Sequence, residues 1–477
     1  MKSLGIVFLV IVASSLLFFA CQNSNKQVME TADKNGLLEN PWQYRDSVLN
    51  QIQALVFPDT VFYVTDFGAV SDGLSDCSEA IKRTIEVCNE AGGGKVVVTP
   101  GIYLTGPITL KSNVNFHIEE GATLLFTTDK SKYLPNVHTR FEGMECMNYS
   151  PLIYAYKQNN IAITGKGKVD GQGEVWWNWK GKWSGSVDHT YSDEASDNQL
   201  NDVKLLTQMV EDNVPLEQRV FGEGHYLRSS FIQPYLCTNV LIEGITIERS
   251  PMWIIHPVLC ENVTVRGVKI ESLGPNNDGC DPECCTNVLI DSCYFNTGDD
   301  CIAIKSGRNN DGRRIGVPSK NIIIQNSIMV EGHGGVVIGS EISGNVSHVF
   351  AENCIMDSPN LDRAIRIKSN TLRGGTIEHI YARNIEVKQV KEAVLKINLY
   401  YEGGTGNNIP IVRNISLENV NSQKSEYGYW INGIENQPIS GIYLKSCTFN
   451  NVKEKYFHEN ADPVIFDGVK INGELIE

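Results

Sequence analysis

Hydrophobic and polar positions alternate in short blocks along most of the chain, and in its second half the blocks repeat. Asn239-Val240-Leu241-Ile242-Glu243-Gly244-Ile245 is echoed by Asn262-Val263-Thr264-Val265-Arg266-Gly267-Val268. Asn287-Val288-Leu289-Ile290-Asp291-Ser292-Cys293 and Asn321-Ile322-Ile323-Ile324-Gln325-Asn326-Ser327 follow. Weaker copies begin at His348, His379, Asn414 and Gly441, and successive starts lie 23, 25, 34, 27, 31, 35 and 27 residues apart. A period in this range marks a solenoid, a propeller or an array. Each unit holds two or three short β-branched strands, with no helical pattern and no leucine ladder. Propeller blades need about four strands in 40–45 residues, more than most of these units hold. The pattern therefore predicts an all-β fold, a parallel β-helix in which one repeat is one coil and loops of varying length leave at fixed corners.

The position six residues after each start holds Ile245, Val268, Cys293, Ser327, Cys354, Ile385, Val420 and Cys447. Equivalent positions of successive coils stack about 4.8 Å apart. An apolar or small column of this kind points inward, so Cys293, Cys354 and Cys447 read as buried free thiols acting as small hydrophobes. The pair Cys284-Cys285 falls in a turn and is left open. No second cysteine pair at zinc-ligand spacing accompanies it.

Upstream, Asp76 to Glu90 carries Ala80, Ile81, Thr84, Ile85 and Cys88 at helical spacing, with Asp76 placed as N-cap and Gly92-Gly93-Gly94 as terminator. An N-terminal amphipathic helix in this position caps the open end of a solenoid core. Residues 174–228 interrupt the coils. They contain Trp176, Trp177, Trp179 and Trp183, a helical piece from Leu200 to Val210, and the run Phe221 to Arg228. The tryptophans suit either the core of an insertion or sugar-stacking faces at one end of a cleft, the former slightly more.

The N-terminus changes the picture of where the protein works. Lys2 precedes an apolar run from Leu4 to Ala20, and Cys21 is followed by Gln22-Asn23-Ser24-Asn25. This is the layout of a signal peptide over residues 1–20, shorter than the roughly 20 apolar residues of a spanning helix. Cys21 is the expected lipidation site, so the protein is expected to be exported, as a periplasmic or outer-membrane-associated lipoprotein or as a secreted form. Residues 21–58 read as tether and lead-in, and residues 59–477 as one catalytic β-helix domain. A net charge of −15 disfavours nucleic acid as a partner. The membrane enters only through the lipid anchor, and a monomer is the default.

Three polar loops follow strands one coil apart: Asn276-Asn277-Asp278-Gly279, Gly298-Asp299-Asp300 and Gly332-His333-Gly334. The strand Arg366-Ile367-Lys368 comes next. The spacings, 21 from Asp278 to Asp299, 34 to His333 and 33 to Arg366, are each about one coil. Stacking brings all four elements onto one face, within about 15 Å along the axis. Paired carboxylates with different proton affinities are what glycoside hydrolysis requires. Arg366 and Lys368 share a face while Ile367 points inward, and their charges suit a substrate carboxylate. Lys305, Arg308, Arg313 and Arg314 are candidates to extend this basic pocket. Each element alone is usually a turn or a strand; the four in order at coil spacing are not.

The ordered set Asn-x-Asp, Gly-Asp-Asp, Gly-His-Gly and Arg-Ile-Lys resembles the polygalacturonase family, glycoside hydrolase family 28. Val336-Val337-Ile338-Gly339-Ser340 and the opening Asp66-Phe67-Gly68-Ala69 are similar as well, and the likeness spans about residues 61–450. The resemblance implies a pectin-lyase-like right-handed solenoid that hydrolyses α-1,4-galacturonosidic linkages of pectin or oligogalacturonides with inversion and without a cofactor or metal. It implies Asp299 as general acid, Asp278 and Asp300 as activators of water, and His333 as assistant to the acid. Arg366, Lys368, Asn276, Lys305 and a tyrosine, Tyr400 or Tyr401, would bind the sugar. His333 favours galacturonan over rhamnogalacturonan, and an insertion walling off the cleft at 174–228 favours exo over endo action. A pectate lyase, in which the three aspartates hold calcium, and a non-catalytic glycan-binding β-helix are the competing readings.

Overall fold

The computed structural model describes residues 36–181 and 198–476. The signal segment, Cys21 and Trp183 lie outside the described residues.

Three ladders of parallel strands wind around one apolar core. In the first ladder the repeat strands pair in register: Val240 with Val263, Val263 with Val288, Val288 with Ile322, Ile322 with Val349. The second ladder follows each of them after a bend, as in Thr246–Glu248, Lys269–Ser272 and Tyr294–Thr297. The third runs through Ile232–Tyr235, isolated bridges at Ile255, Cys280 and Ile302, and then Ile302–Ile304, Val336–Ile338, Arg363–Lys368, Ala393–Asn398, Ser425–Asn432 and Val452–Glu459. This is the parallel β-helix expected from the repeat.

The repeat's two columns have physical causes. Every residue of the sixth-position column is buried, Ile245 through Cys447. Each buried aliphatic side chain contributes roughly 1.5–3 kcal/mol. The start column holds the left-handed backbone conformation throughout, from Asn239 (φ 56°) and Asn262 (57°) to Asn414 (58°) and Gly441 (63°). Asparagine and glycine enter that region at least cost. The asparagines also bond one another: Asn262 Nδ2 to Asn239 Oδ1 (3.2 Å), Asn287 to Asn262 (3.4 Å) and Asn321 to Asn287 (2.9 Å). The two histidines continue the column as neighbouring rings tilted by 33°, their centres 4.8 Å apart.

The capping helix spans Ser78–Glu90 and buries Ile81, Thr84, Ile85 and Cys88 against the core. It starts one residue later than the N-cap reading requires, with Cys77 at the N-cap, yet Asp76 Oδ1 still accepts from the Ser78 amide at 2.9 Å. The twelve cysteines among the described residues are all free and buried, Cys284 and Cys285 included.

The lead-in is more structured than its composition suggests. Pro41–Leu49 form a helix. Leu38 and Val48 pack against Leu289, Ile323, Phe350 and Tyr381 on the flank of the solenoid, and Arg45 pairs with Glu352. From Leu38 onward the segment is docked and is not a free tether.

The insertion carries helices at Glu174–Trp177 and Leu200–Glu211. Trp176, Trp177 and Trp179 are buried: Trp176 meets Tyr133 and Trp179 edge-on, and Trp177 donates to the Ser250 carbonyl at 2.7 Å. Trp176 and Trp179 join the core of the solenoid, and the three are buried and so do not serve as sugar platforms. The antiparallel hairpin Val137–Phe141/Met144–Asn148 joins the insertion, sharing a second core of Phe141, Met144, Leu206, Val210, Phe221, Leu227, Met252 and Trp253.

Candidate active site

The polar loops stack because their backbones bond from coil to coil. The Ile254 amide donates to the Asp278 carbonyl (2.9 Å), Gly279 to Asp300 (2.9 Å), Cys301 to Gly334 (2.8 Å) and Gly335 to Arg363 (2.9 Å). Glycine is required where these turns touch: a Cβ on Gly298 would lie 2.2 Å from the Gly274 carbonyl oxygen, and one on Gly332 2.4 Å from that of Asp299. Asn277 braces the first loop from within, accepting from Ser272 Oγ (2.6 Å) and the Gly274 amide (3.0 Å).

Asp299 and Asp300 occupy the bend between strands Tyr294–Thr297 and Ile302–Ile304. The bend turns both side chains to the same side, and carboxylate oxygens of Asp278, Asp299 and Asp300 lie within 4.8 Å of one another. His333 Nδ1 meets Asp299 Oδ1 at 2.9 Å. Asp300 is gripped by Lys368 Nζ (2.6 Å) and Arg366 Nη1 (3.2 Å), while Ile367 is fully buried in the core. Asp278, Asp299, His333 and Lys368 border a cleft of ≈ 1290 Å³, open mouth included, whose walls also carry Lys180, Trp253, Asn276, Lys305, Arg308 and Glu341.

The comparisons with known proteins agree with this geometry. Residues 224–464, half of the chain, match the family described as Glycosyl hydrolases family 28. The chain belongs to that family. Among curated family relatives, a "Probable polygalacturonase" of Vitis vinifera is 28% identical over 408 residues, 81% of this chain and 74% of its own length. An "Exo-poly-alpha-D-galacturonosidase" of Dickeya chrysanthemi is 28% identical over 358 residues, and the chain spans 58% of it. The crystal structure of a hyperthermoactive exopolygalacturonase from Thermotoga maritima superposes with a TM-score of 0.87 at 44% identity, covering 92% of this chain and 97% of that one.

Other predicted residues are placed differently. Tyr401, not Tyr400, lines the cleft: its ring centre lies 5.2 Å from Lys368 Nζ and 5.4 Å from the Arg366 guanidinium, whereas Tyr400 is half exposed outside it. Tyr400 and Tyr401 lie past the end of strand Ala393–Asn398, where a helical turn begins at Tyr401. Asn276 reaches the cleft and accepts from Arg228 Nη2 at 2.7 Å. Lys305 reaches it too, but its ammonium is shared by Asp278 (3.2 Å), Asp281 (3.4 Å) and Glu341 (3.4 Å) and sits 4.3 Å from the centre of the Trp253 ring. Arg308 is held by Glu142 at 2.6 Å. Arg313 and Arg314 do not extend the basic pocket. Their helix, Asn309–Ile315, aims them at the Leu372 and Arg373 carbonyls and at Asp311 and Glu145.

Sequence reasoning passed over Asp281, Glu341, Trp253, Glu142, Lys180 and Arg228. Asp281 follows Asp278 by three residues and Glu341 follows the Gly339-Ser340 pair. Either was visible as an acid beside a motif, but nothing in the motif spacing shows that both turn toward Lys305.

Burial and charge sort the acids. Burial pushes Asp278 up to about 7, with Asp299 and Asp300 adding to it and Lys305 opposing. Burial also works against ionised Asp299, yet His333, Lys368 and Arg366 hold that group well below the usual carboxylate range. Asp300 is lowered too, the burial penalty outweighed by Lys368 and Arg366. Asp299, by charge and hydrogen bond, raises His333 to about 9. The free site thus keeps its protons on Asp278 and His333. The three aspartates are also the group that could ligate a cation. A dication there would compete with Lys305, Arg366 and Lys368, which already neutralise the acids.

Proposed function

We propose that the protein is an exo-acting polygalacturonase, which hydrolyses the terminal α-1,4-galacturonosidic linkage of polygalacturonan or oligogalacturonides. The observation that carries this reading is the aspartate trio, with its oxygens within 4.8 Å, in a cleft walled by Lys180, Lys204, Lys305, Arg308 and Lys368. A chain of net charge −15 that gathers cations around carboxylates is suited to an anionic sugar. The Thermotoga exopolygalacturonase at 44% identity, and an insertion that supplies Lys180, Gln199, Leu200, Val203 and Lys204 to one wall, favour action from a chain end.

In the proposed mechanism Asp299 passes to the leaving oxygen the one proton that it shares with His333, so the pair acts as a single acid. Asp278 and Asp300 orient the attacking water, and ionised Asp278 takes its proton. Lys368, with Arg366 and Tyr401 behind it, holds a sugar carboxylate, and Asn276 a hydroxyl. The acids lie closer than the roughly 6.5–9.5 Å usual for inverting pairs. Inversion is assigned here on the family resemblance, with two acids sharing the water beside the third. Proton NMR of early products checks it: an initial β-anomer agrees, an α-anomer means retention.

The deciding experiment is product analysis on de-esterified polygalacturonic acid, with and without chelator, for wild type and Asp299→Asn. Saturated galacturonic acid alone from the first time points, indifferent to chelator and reduced by about 10²–10⁴-fold in the variant, is the expected result. A ladder of saturated oligomers makes the enzyme endo-acting. Unsaturated, ultraviolet-absorbing products that vanish with chelator make it a lyase, and absence of products on any pectin leaves glycan binding.

The polygalacturonase relatives agree with an exported protein. Within that, a lipoprotein anchored through Cys21, otherwise monomeric, is our reading of the N-terminal segment. Incorporation of labelled fatty acid that is lost in Cys21→Ala supports it, and incorporation unchanged in that variant rejects it.

A further inference from the structure

The cleft has a second cationic pole, apart from Arg366 and Lys368. Lys180 closes a short helical turn, Asn178–Lys180, at the start of the insertion. The chain enters it directly after strand Lys168–Asp170, whose ladder passes through Thr246–Glu248 and then Lys269–Ser272 before the chain reaches Asp278. Arg363–Lys368 lies beyond Asp299 and His333 in the opposite direction along the axis. The aspartate trio therefore stands between the two poles.

The other buried cations of the cleft each have a carboxylate partner before any substrate binds. Lys305 is shared by three carboxylates, Arg308 is held by Glu142 and Lys368 by Asp300; half-exposed His333 is held by Asp299 as well. Among the described residues Lys180 has no ion-pair or hydrogen-bond partner, though it is half-buried in the wall. Burial, opposed by Glu142, Asp299 and Glu402, lowers its proton affinity. A desolvated ammonium without a carboxylate is costly, and a bound anion relieves that cost. Its position is fixed from both sides: Trp177, three residues earlier, is bonded to Ser250. Buried Arg228 ties Gln199 of the insertion (3.0 Å) to Asn276 of the catalytic loop (2.7 Å). Glu142 and Glu402, whose charges reach Lys180, line the same cleft and offer acceptors for sugar hydroxyls.

We propose that Lys180 binds the carboxylate of the terminal galacturonate, the sugar that is released, while Arg366 and Lys368 serve the sugar across the scissile bond. This rests on the polygalacturonase reading and adds to it a requirement for a free acid at the chain end. A terminal galacturonate that is methyl-esterified, or replaced by galactose, is then a poor substrate, and free galacturonate is a product inhibitor bound through Lys180.

The test compares wild type, Lys180→Met and Lys180→Arg on trigalacturonate and on trigalacturonate esterified at its non-reducing end, with inhibition by galacturonate and by galactose. Losing a charge-assisted contact of about 1.5–3 kcal/mol predicts that Lys180→Met raises KM for trigalacturonate and Ki for galacturonate by about 10–100-fold. It should lower kcat less, and discrimination against the ester should collapse, with Lys180→Arg recovering most of each. KM, Ki and ester discrimination unchanged in Lys180→Met overturn the proposal while the hydrolase reading stands. Failure of the wild type to cleave trigalacturonate overturns both.

Discussion

Asp278 carries the most consequential proton in the site. Burial holds it up to about 7, with Asp299 and Asp300 adding, while His333 is raised to about 9 by Asp299. If Asp278 must be ionised to accept a proton, and the His333–Asp299 pair must hold one to give, the signs are fixed. kcat/KM rises as pH climbs through about 7 and falls through about 9, as macroscopic values of a coupled group. Lys305 is the cation that pulls Asp278 down. In Lys305→Met the acidic limb should move to higher pH, with the alkaline limb little changed; an acidic limb that stays put removes Asp278 from the role of base. The four acids and bases of this site were legible because they sit in three short polar loops, each one coil from the next. Asp281 and Glu341 were not, because their meeting on Lys305 depends on loop paths that periodicity does not encode. Tyr400 and Tyr401 were indistinguishable for a related reason: alternation gives two faces but not which face a turn presents.

The coil is the element where sequence and fold correspond most closely. Its start column is asparagine, histidine or glycine because the backbone there is left-handed, at φ 56° to 63° from Asn239 to Gly441. Asn287 shows both contributions, holding φ 58° while bonding Asn262 and Asn321. Asn287→Ala should cost about 2–3 kcal/mol, from the left-handed penalty and the two lost bonds. Asn287→Gly should cost less, since glycine keeps the conformation and loses only the bonds. Thermal melts should therefore rank wild type, then Gly, then Ala; equal losses for Gly and Ala would mean that backbone conformation is not the cause. The helix Pro41–Leu49 was illegible by the same logic. Its segment docks through Leu37, Leu38, Trp42, Tyr44, Val48, Leu49 and Ile52, but a single short helix beside a solenoid repeats nothing.

At the scale of the whole molecule, charge works in two directions. The chain carries −15 in total, which repels a polyanion at long range, while the cleft collects Lys180, Lys305, Arg308 and Lys368 at short range. Salt separates the two, because the screening length falls from about 30 Å at 0.01 M to about 8 Å at 0.15 M and buried pairs are screened least. Raising sodium chloride over that range should increase kcat/KM on long polygalacturonate by about two- to tenfold, as approach of the polymer ceases to be opposed. Trigalacturonate feels little of the distant surface and binds through the buried cations, so its kcat/KM should stay level or fall. The ratio of the two substrates against ionic strength is the quantity to measure. If polymer and trimer fall together, attraction in the cleft governs encounter as well as binding, and the acidic exterior has no part in how the enzyme meets its substrate. If only the polymer gains, the exterior disfavours contacts along the middle of a polyanion, and the cleft, walled in part by the insertion, engages the chain where it terminates.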